Sequence, residues 1–167
     1  MVRKHTLSAV VALSAFVAAC SGGSESSGPE KTVESDAPAA ATAAAPTGTP
    51  AVDDVSTLDG TTLASFTGDA AAGKLVFAQC RSCHVTDPGV NKIGPSLAGI
   101  IGSKAGSVAG FNYSPANASV GLTWTKEKMF QYLEKPQRVI PKNKMIYAGL
   151  PDAQKRADVI AYLENPG

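Results

Sequence analysis

Histidine is almost absent from this 167-residue sequence, which contains only His5 and His84. Cysteine is nearly as scarce, and the odd set of Cys20, Cys80 and Cys83 does not fit a framework of paired disulfides. Basic and acidic side chains number 15 and 14, so the overall charge gives no reason to expect nucleic-acid binding. No apolar run reaches the roughly 20 residues that a membrane-spanning helix needs.

The charge is unevenly distributed along the chain. From Phe66 to the C-terminus there are 12 basic and 7 acidic side chains, whereas residues 21–65 carry one lysine, Lys31, and seven acids. An acidic arm joined to a basic domain indicates that the two parts have separate roles.

Residues 1–19 are typical of a bacterial secretory signal. Arg3 and Lys4 precede an uncharged run from Leu7 to Ala19, which is too short to span a bilayer. The run ends in Val-Ala-Ala before Cys20, which resembles a lipobox and predicts that Cys20 is lipidated. An ordinary cleavage site or a short uncleaved anchor is the alternative.

The rest of the chain divides into a predicted tether and a predicted domain. Residues 20–65 are rich in Ser, Gly, Ala, Pro, Thr and acids, which is typical of disorder. Residues 66–167 contain three helical patterns, at 68–78, 125–134 and 151–164, separated by long loops. We therefore expect an all-α domain whose core is thin unless a cofactor fills it.

Local signals indicate where these helices begin and end. Asp69 and Thr125 are the predicted N-caps of the first two, and Pro136 is predicted to stop the second. Leu75 is predicted to lie on the apolar face of the first.

The motif Cys80-Arg81-Ser82-Cys83-His84 matches C-x-x-C-H, the attachment signature of c-type haem. Two thiols at this spacing can form thioethers with the two vinyl groups of a porphyrin, and the adjacent histidine can bind the iron. A structural zinc site would need four ligands. If Cys20 is lipidated and His5 is removed with the signal, only Cys80, Cys83 and His84 remain. No strand pattern precedes the motif, as a thioredoxin-like dithiol would require.

The iron's second axial ligand has two methionine candidates in the mature chain. Met129 lies on the apolar face of a predicted helix, where core packing explains it. Met145 ends the loop Pro141-Lys142-Asn143-Lys144-Met145 between two helices, and either ligation or packing would account for it.

Several motifs in this order resemble class I cytochromes c, the mitochondrial-type cytochrome c and its bacterial periplasmic relatives. The resemblance covers residues 68–163. Its motifs are the helix before C-x-x-C-H, Gly94-Pro95-Ser96-Leu97, Gly110-Phe111-Asn112-Tyr113-Ser114, Leu122-Thr123-Trp124, Tyr132-Leu133-Glu134, the loop ending in Met145, and Arg156-Ala157-Asp158-Val159-Ile160-Ala161-Tyr162-Leu163. The resemblance implies one covalent haem c with His84 and Met145 as axial ligands.

The resemblance also implies roles for residues around the haem. The Pro95 carbonyl would accept a hydrogen bond from the free ring N–H of His84. Tyr113 and Trp124 would hydrogen-bond a propionate, with packing against the ring as the alternative. Asn117 and Tyr132 would lie near the methionine and tune the iron.

Two departures from the family's pattern concern the same region. Lys142-Asn143 stands where relatives usually have Gly-Thr, so an amide would replace a hydroxyl near a propionate. Ser103 stands where many relatives have an arginine. Both changes are expected to leave iron ligation intact, and the family's fine setting of the reduction potential does not carry over to this sequence.

A closed His/Met site raises the reduction potential and leaves no iron position for substrate, which favours electron transfer over catalysis. The expected partners are a quinol-oxidising cytochrome complex as donor and a haem-copper oxidase or photosynthetic reaction centre as acceptor. Lys92, Lys142 and Lys144 are candidates to steer acidic partners. The expected location is the periplasmic side of a bacterial membrane, the inner one favoured, through the lipid anchor. A haem peroxidase or sensor, and a subunit fixed within a larger complex, are the alternatives.

Overall fold

The computed structural model of the protein describes residues 48–167. Their secondary structure is helical, apart from one isolated β-bridge between Lys104 and Thr123. The elements are a 3₁₀ turn at Leu63–Ser65, α1 (Ala70–Phe77), α2 (Pro115–Ser119), α3 (Lys126–Glu134), α4 (Pro136–Val139) and α5 (Ala153–Glu164). The structure therefore confirms the predicted all-α fold, and its three main helices are α1, α3 and α5.

Each main helix begins at a side chain that caps its free N–H groups. Asp69 accepts hydrogen bonds from the backbone N–H groups of Ala71 and Ala72, as predicted for the first helix. Thr125 caps α3 through the N–H of Lys128, also as predicted. The cap of α5 is Asp152, which bonds the N–H of Lys155, so this helix begins two residues later than its predicted start.

The first and last helices cross in close contact. Gly73 and Phe77 are the buried residues of α1. The ring of Phe77 lies 5.2 Å from that of Tyr162 in α5. Leu75, predicted on the apolar face of α1, is instead 78% exposed, because the buried face follows the four-residue spacing of Gly73 and Phe77.

Two short helices interrupt stretches that the sequence predicts as loops. Ser114 caps α2 through the N–H of Asn117, and Pro115 occupies the first turn. α4 begins at Pro136, the residue that is predicted to stop the preceding helix. Proline suits a first helical turn because its missing N–H has no partner there, so one residue both ends α3 and starts α4.

Folded structure begins before Phe66, the predicted start of the domain. Residues 50–62, here called the N-terminal strap, lie against α3 and α5. The ring of Phe66 then packs 6.0 Å from that of Phe130 in α3. The last part of the predicted tether is therefore an ordered part of the domain.

Polar side chains of α3 hold the strap by its backbone. The ammonium of Lys128 donates to the carbonyls of Ala51 and Asp54 and to the Gln131 side chain. Gln131 donates to the Ser56 carbonyl at 2.8 Å. The Glu134 carboxylate accepts from the N–H groups of residues 58 and 59 at 2.7 and 2.9 Å. These side chains are buried because the strap covers the face of α3 that carries them.

The predicted signal sequence, Cys20 and most of the predicted tether lie outside the described residues. Within residues 48–167, no helix is both long enough and apolar enough to cross a bilayer.

Candidate haem-binding site

The C-x-x-C-H motif lies in a coil of turns directly after α1. The N–H of Cys80 donates to the Phe77 carbonyl at 2.8 Å, and those of Cys83 and His84 donate to the Cys80 carbonyl at 3.1 and 2.9 Å. Both cysteines are free thiols and are partly buried. The turns therefore bring both thiols and the imidazole to the end of one short segment.

The surroundings of Cys80 favour its protonated thiol form. Burial, reinforced by the neighbouring Cys83, raises the pKa of Cys80 to about 11. Redox dithiols and zinc-binding cysteines depend on a lowered pKa. In the described part of the chain, no group of three or more His, Cys, Asp or Glu side chains is arranged to hold a metal ion. The zinc and thioredoxin-like alternatives gain no support from this geometry.

His84 is oriented by the Pro95 carbonyl, which lies 2.8 Å from Nδ1. Because a carbonyl only accepts, Nδ1 carries the proton and Nε2 keeps a free lone pair, as an iron ligand requires. Burial lowers the pKa of His84, although the Pro95 hydrogen bond opposes this shift. Gly94 leaves room for the ring, because a Cβ there would lie 2.3 Å from the imidazole Cε1.

Met145 presents a thioether in the loop between α4 and α5. The hydroxyl of Tyr132 donates to its sulfur at 3.3 Å, so the two residues lie together as the sequence predicts. Met145 is partly buried, whereas Met129 is 5% exposed and belongs to the hydrophobic core. The structure thus confirms the core position of Met129.

The three remaining predicted residues lie between the attachment motif and α3 in the chain: Tyr113, Asn117 and Trp124. Tyr113 accepts a hydrogen bond from the N–H of Val108 at 3.3 Å, so its own proton remains free to donate. Trp124 is buried and packs edge-on against Tyr132, with ring centroids 4.7 Å apart. Asn117 has a buried side-chain oxygen that meets no partner among the described residues.

These residues fit a covalently attached haem. The two thiols lie in the attachment spacing, and an imidazole nitrogen and a thioether are the two donors that bind haem iron in His/Met cytochromes c. Asn117 contributes a buried oxygen without a partner among the described residues, and Tyr113 a free hydroxyl proton, and each could bond a polar group of a haem.

A family model described as cytochrome c matches residues 70–166. The chain belongs to the cytochrome c family. Cytochrome c type-1 of Ascaris suum is 52% identical over 98 residues, which are 58% of this chain and 88% of that protein. Cytochrome c2 of Rhodopila globiformis is 50% identical over 98 residues, or 58% of this chain and 92% of that protein.

A solved structure agrees with these relatives. Cytochrome cH from Methylobacterium extorquens is 42% identical with a TM-score of 0.56, covering 58% of this chain and 98% of its own. This cytochrome is therefore an electron-transfer protein of class I, homologous to cytochrome c2 and mitochondrial cytochrome c. The N-terminal strap precedes the residues that the family model matches.

Asn143, one of the departures from the family's pattern, is buried, and its amide bonds the backbone of its own loop. Sequence comparison with the usual Gly-Thr could mark this position as different, but not show which way the longer side chain turns.

Proposed function

We propose that this cytochrome carries one electron at a time with a haem c attached through Cys80 and Cys83 and ligated by His84 and Met145. The observation that carries the proposal is the His84 imidazole, whose Nδ1 is held by the Pro95 carbonyl while Nε2 stays free. Bound haem c would supply an iron whose oxidation state changes by one electron, and His84 and Met145 would be its two protein ligands.

The chain's own residues keep that site fixed. Pro95 sets the tautomer and orientation of His84 and makes its ligating nitrogen more basic. The Tyr132 hydroxyl donates to the Met145 sulfur, and burial raises the pKa of Tyr132, so the phenol stays protonated. Tyr113 and Trp124 would donate to a propionate, and Asn117 and Tyr132 would adjust the polarity on the methionine side.

Partners are inferred from charge and from relatives. The domain is basic, and Lys92 and Lys144 are held near the site by hydrogen bonds from Nζ to the carbonyls of Arg81 and Asn112, both at 2.7 Å. Exposed Ile93 directly follows Lys92, and exposed Ile146 lies two residues after Lys144. Exposed apolar side chains next to basic ones suit an acidic partner that docks briefly.

We accordingly place the cytochrome between a quinol-oxidising cytochrome complex and a haem-copper oxidase or photosynthetic reaction centre. The bacterial relatives, which include cytochromes c2, support a periplasmic location. The lipobox-like sequence supports anchoring through Cys20. Inner-membrane anchoring is favoured because the proposed donor and acceptor are membrane complexes there.

Replacing Met145 with leucine is expected to remove the weak far-red absorption band that reports a sulfur–iron bond in the oxidised protein. Leucine keeps the volume of methionine but supplies no donor atom. Absorption spectra of the holoprotein in both redox states would measure the change, together with the reduction potential, which should fall.

Met129→Leu is the matched control, because Met129 lies in the core and the same substitution there should leave the band intact. If the band survives in Met145→Leu, or if the wild-type protein lacks it and binds carbon monoxide readily, the proposed ligation is wrong.

Replacing Cys20 with serine is expected to move the cytochrome from the membrane fraction to the soluble periplasmic fraction, since serine offers no thiol for lipidation. A single acyl chain binds a membrane only weakly and reversibly, whereas two or more hold a protein there stably. The wild-type protein should therefore be found in the membrane fraction. Immunoblots of fractionated cells would measure the distribution. An unchanged membrane fraction in Cys20→Ser would contradict the lipid anchor while leaving the electron-transfer assignment intact.

A further inference from the structure

The loop that carries Met145 is closed by hydrogen bonds of its own side chains. It runs from Pro136 through α4 to Met145, and two amide side chains, Asn143 and Gln137, connect its two ends. These bonds involve only protein atoms.

Asn143 uses both ends of its amide. Its Oδ1 accepts a hydrogen bond from the backbone N–H of Met145 at 2.8 Å. Its Nδ2 donates to the carbonyls of Ile140 at 2.7 Å and Pro136 at 3.2 Å. The residue is 9% exposed, and a buried amide is stable only when its polar atoms are bonded in this way.

Gln137 completes the closure from the opposite side of the loop. Its Nε2 lies 3.2 Å from both the Met145 carbonyl and the Asn143 Oδ1. Its Oε1 accepts from the N–H of Lys142 at 3.2 Å. The backbone N–H and carbonyl of Met145 are therefore both bonded to side chains of the same loop.

The backbone of Lys142 shows that these bonds impose a geometry. Its φ of 62° is the only positive value at a non-glycine residue in the described chain. A left-handed conformation is unfavourable for a lysine and persists where surrounding contacts hold it. The bond to Gln137 at Lys142 and the burial of Asn143 next to it are those contacts.

We infer that Asn143 is a positioning residue that holds the Met145 thioether in its ligating place through the Met145 backbone. Methionine has three rotatable side-chain bonds, so a fixed sulfur position needs a fixed main chain as well as the Tyr132 hydrogen bond. The inference rests on the proposed ligation by Met145. It assigns to the amide a function in retaining the iron ligand.

The hydrogen-bond pattern separates this function from a general effect on stability. The bond from Met145 N–H to Asn143 Oδ1 spans two residues, as in an Asx turn, and a serine hydroxyl makes the same bond more weakly. Serine cannot replace the Nδ2 bonds to Pro136 and Ile140. Asn143→Ser therefore keeps the bond to Met145 and loses the bonds to α4, whereas Asn143→Ala loses both.

The test is the rate at which added imidazole displaces Met145 from the iron of the oxidised holoprotein, followed by stopped-flow absorption. Loss of a buried hydrogen bond to the ligand's backbone should raise the rate about tenfold in Asn143→Ala. Asn143→Ser should recover most of the wild-type rate, and Gln137→Ala should give an intermediate one. Asn112→Ala, at an exposed asparagine, is the matched control and should match the wild type.

Denaturant unfolding of the same variants provides the second measurement. The inference is upheld if Asn143→Ser is less stable than the wild type, as Asn143→Ala is, but keeps a displacement rate close to that of the wild type. It is overturned if Asn143→Ala keeps the wild-type rate, or if the rates follow stability alone. A wild-type protein that lacks the far-red band would instead overturn the proposed ligation, so the two failures are distinguishable.

Discussion

Replacing Arg156 with alanine is expected to lower the free energy of unfolding by about 3–5 kcal/mol, since it removes a fully buried side chain and leaves its hydrogen-bond acceptors without a donor. Arg156 is fully buried in α5. Its guanidinium lies 2.6 Å from the Asp59 carboxylate in the N-terminal strap and 4.4 Å above the ring of Phe130. Denaturant unfolding of the holoprotein, monitored by far-UV circular dichroism, would measure the loss.

The size of this effect follows from the number of groups that depend on one side chain. Arg156 also donates to the carbonyls of Leu150 and Pro151, both at 2.9 Å, and to the Thr61 hydroxyl at 3.1 Å. Alanine would leave these acceptors without their donor and would open a cavity beside Phe130. The strap would lose its connection to α5.

Lys155→Ala is the matched control for Arg156→Ala. Lys155 is the preceding residue of α5 and forms an ion pair with Asp152, but both side chains are about half exposed. Exposed pairs contribute roughly 0–1 kcal/mol, so this variant should stay close to the wild type. Equal stability losses in Lys155→Ala and Arg156→Ala would show that the burial of the Arg156 side chain has no energetic consequence.

The acid dependence of the strap follows from Asp59. Partial burial by itself raises the pKa of Asp59, but hydrogen bonds from Arg156 and Thr61 outweigh it and hold the pKa well below its usual value. A lowered folded-state pKa means that Asp59 stabilises the fold at pH values above its unfolded-state pKa of about 3.9. This contribution to stability is lost as the pH falls from there through the folded-state pKa. The stability difference between wild type and Asp59→Asn should therefore be constant near neutrality and shrink in acid.

Local signals were sufficient for the three main helices and the attachment motif. Asp69 and Thr125 cap helices that also show apolar periodicity, so position and type could be inferred together. The C-x-x-C-H motif lies within five residues and needs no tertiary information. The Pro95 carbonyl was predicted from family resemblance, and the structure confirms its hydrogen bond to His84.

The strap could not be recognised in this way, because its stabilising partners lie far away in sequence. Residues 50–62 have the small polar composition of a linker, and no apolar periodicity marks them as part of a core. Glu134 bonds residues 58 and 59 across more than 70 positions of the chain. The part of the strap's binding site that is visible in the sequence is the polar set Lys128, Gln131 and Glu134 on α3. A polar helix face ordinarily faces solvent, so these residues alone do not indicate that a segment covers them.

Replacing Gly73 with alanine is expected to destabilise the domain by at least about 3 kcal/mol, the upper range for overpacking a closely fitted core. An alanine Cβ would lie 2.0 Å from the Asp158 carbonyl oxygen and 2.9 Å from the Tyr162 Cβ in α5. The first contact is with backbone, so no side-chain rotation can relieve it and α1 must move away from α5. Denaturant midpoints of the holoprotein would measure the loss.

The sign of this effect distinguishes tertiary packing from helix propensity. In an exposed helix interior, alanine is more favourable than glycine by about 1 kcal/mol, so propensity alone predicts that Gly73→Ala is stabilising. Lys74→Ala, at the exposed neighbouring position of α1, is the matched control and should change stability by less than about 0.5 kcal/mol. A Gly73→Ala protein as stable as the wild type would show that α1 and α5 can separate without loss. Cys80 lies three residues after the end of α1. The close crossing of α1 and α5 therefore fixes the position at which the haem-attachment segment begins.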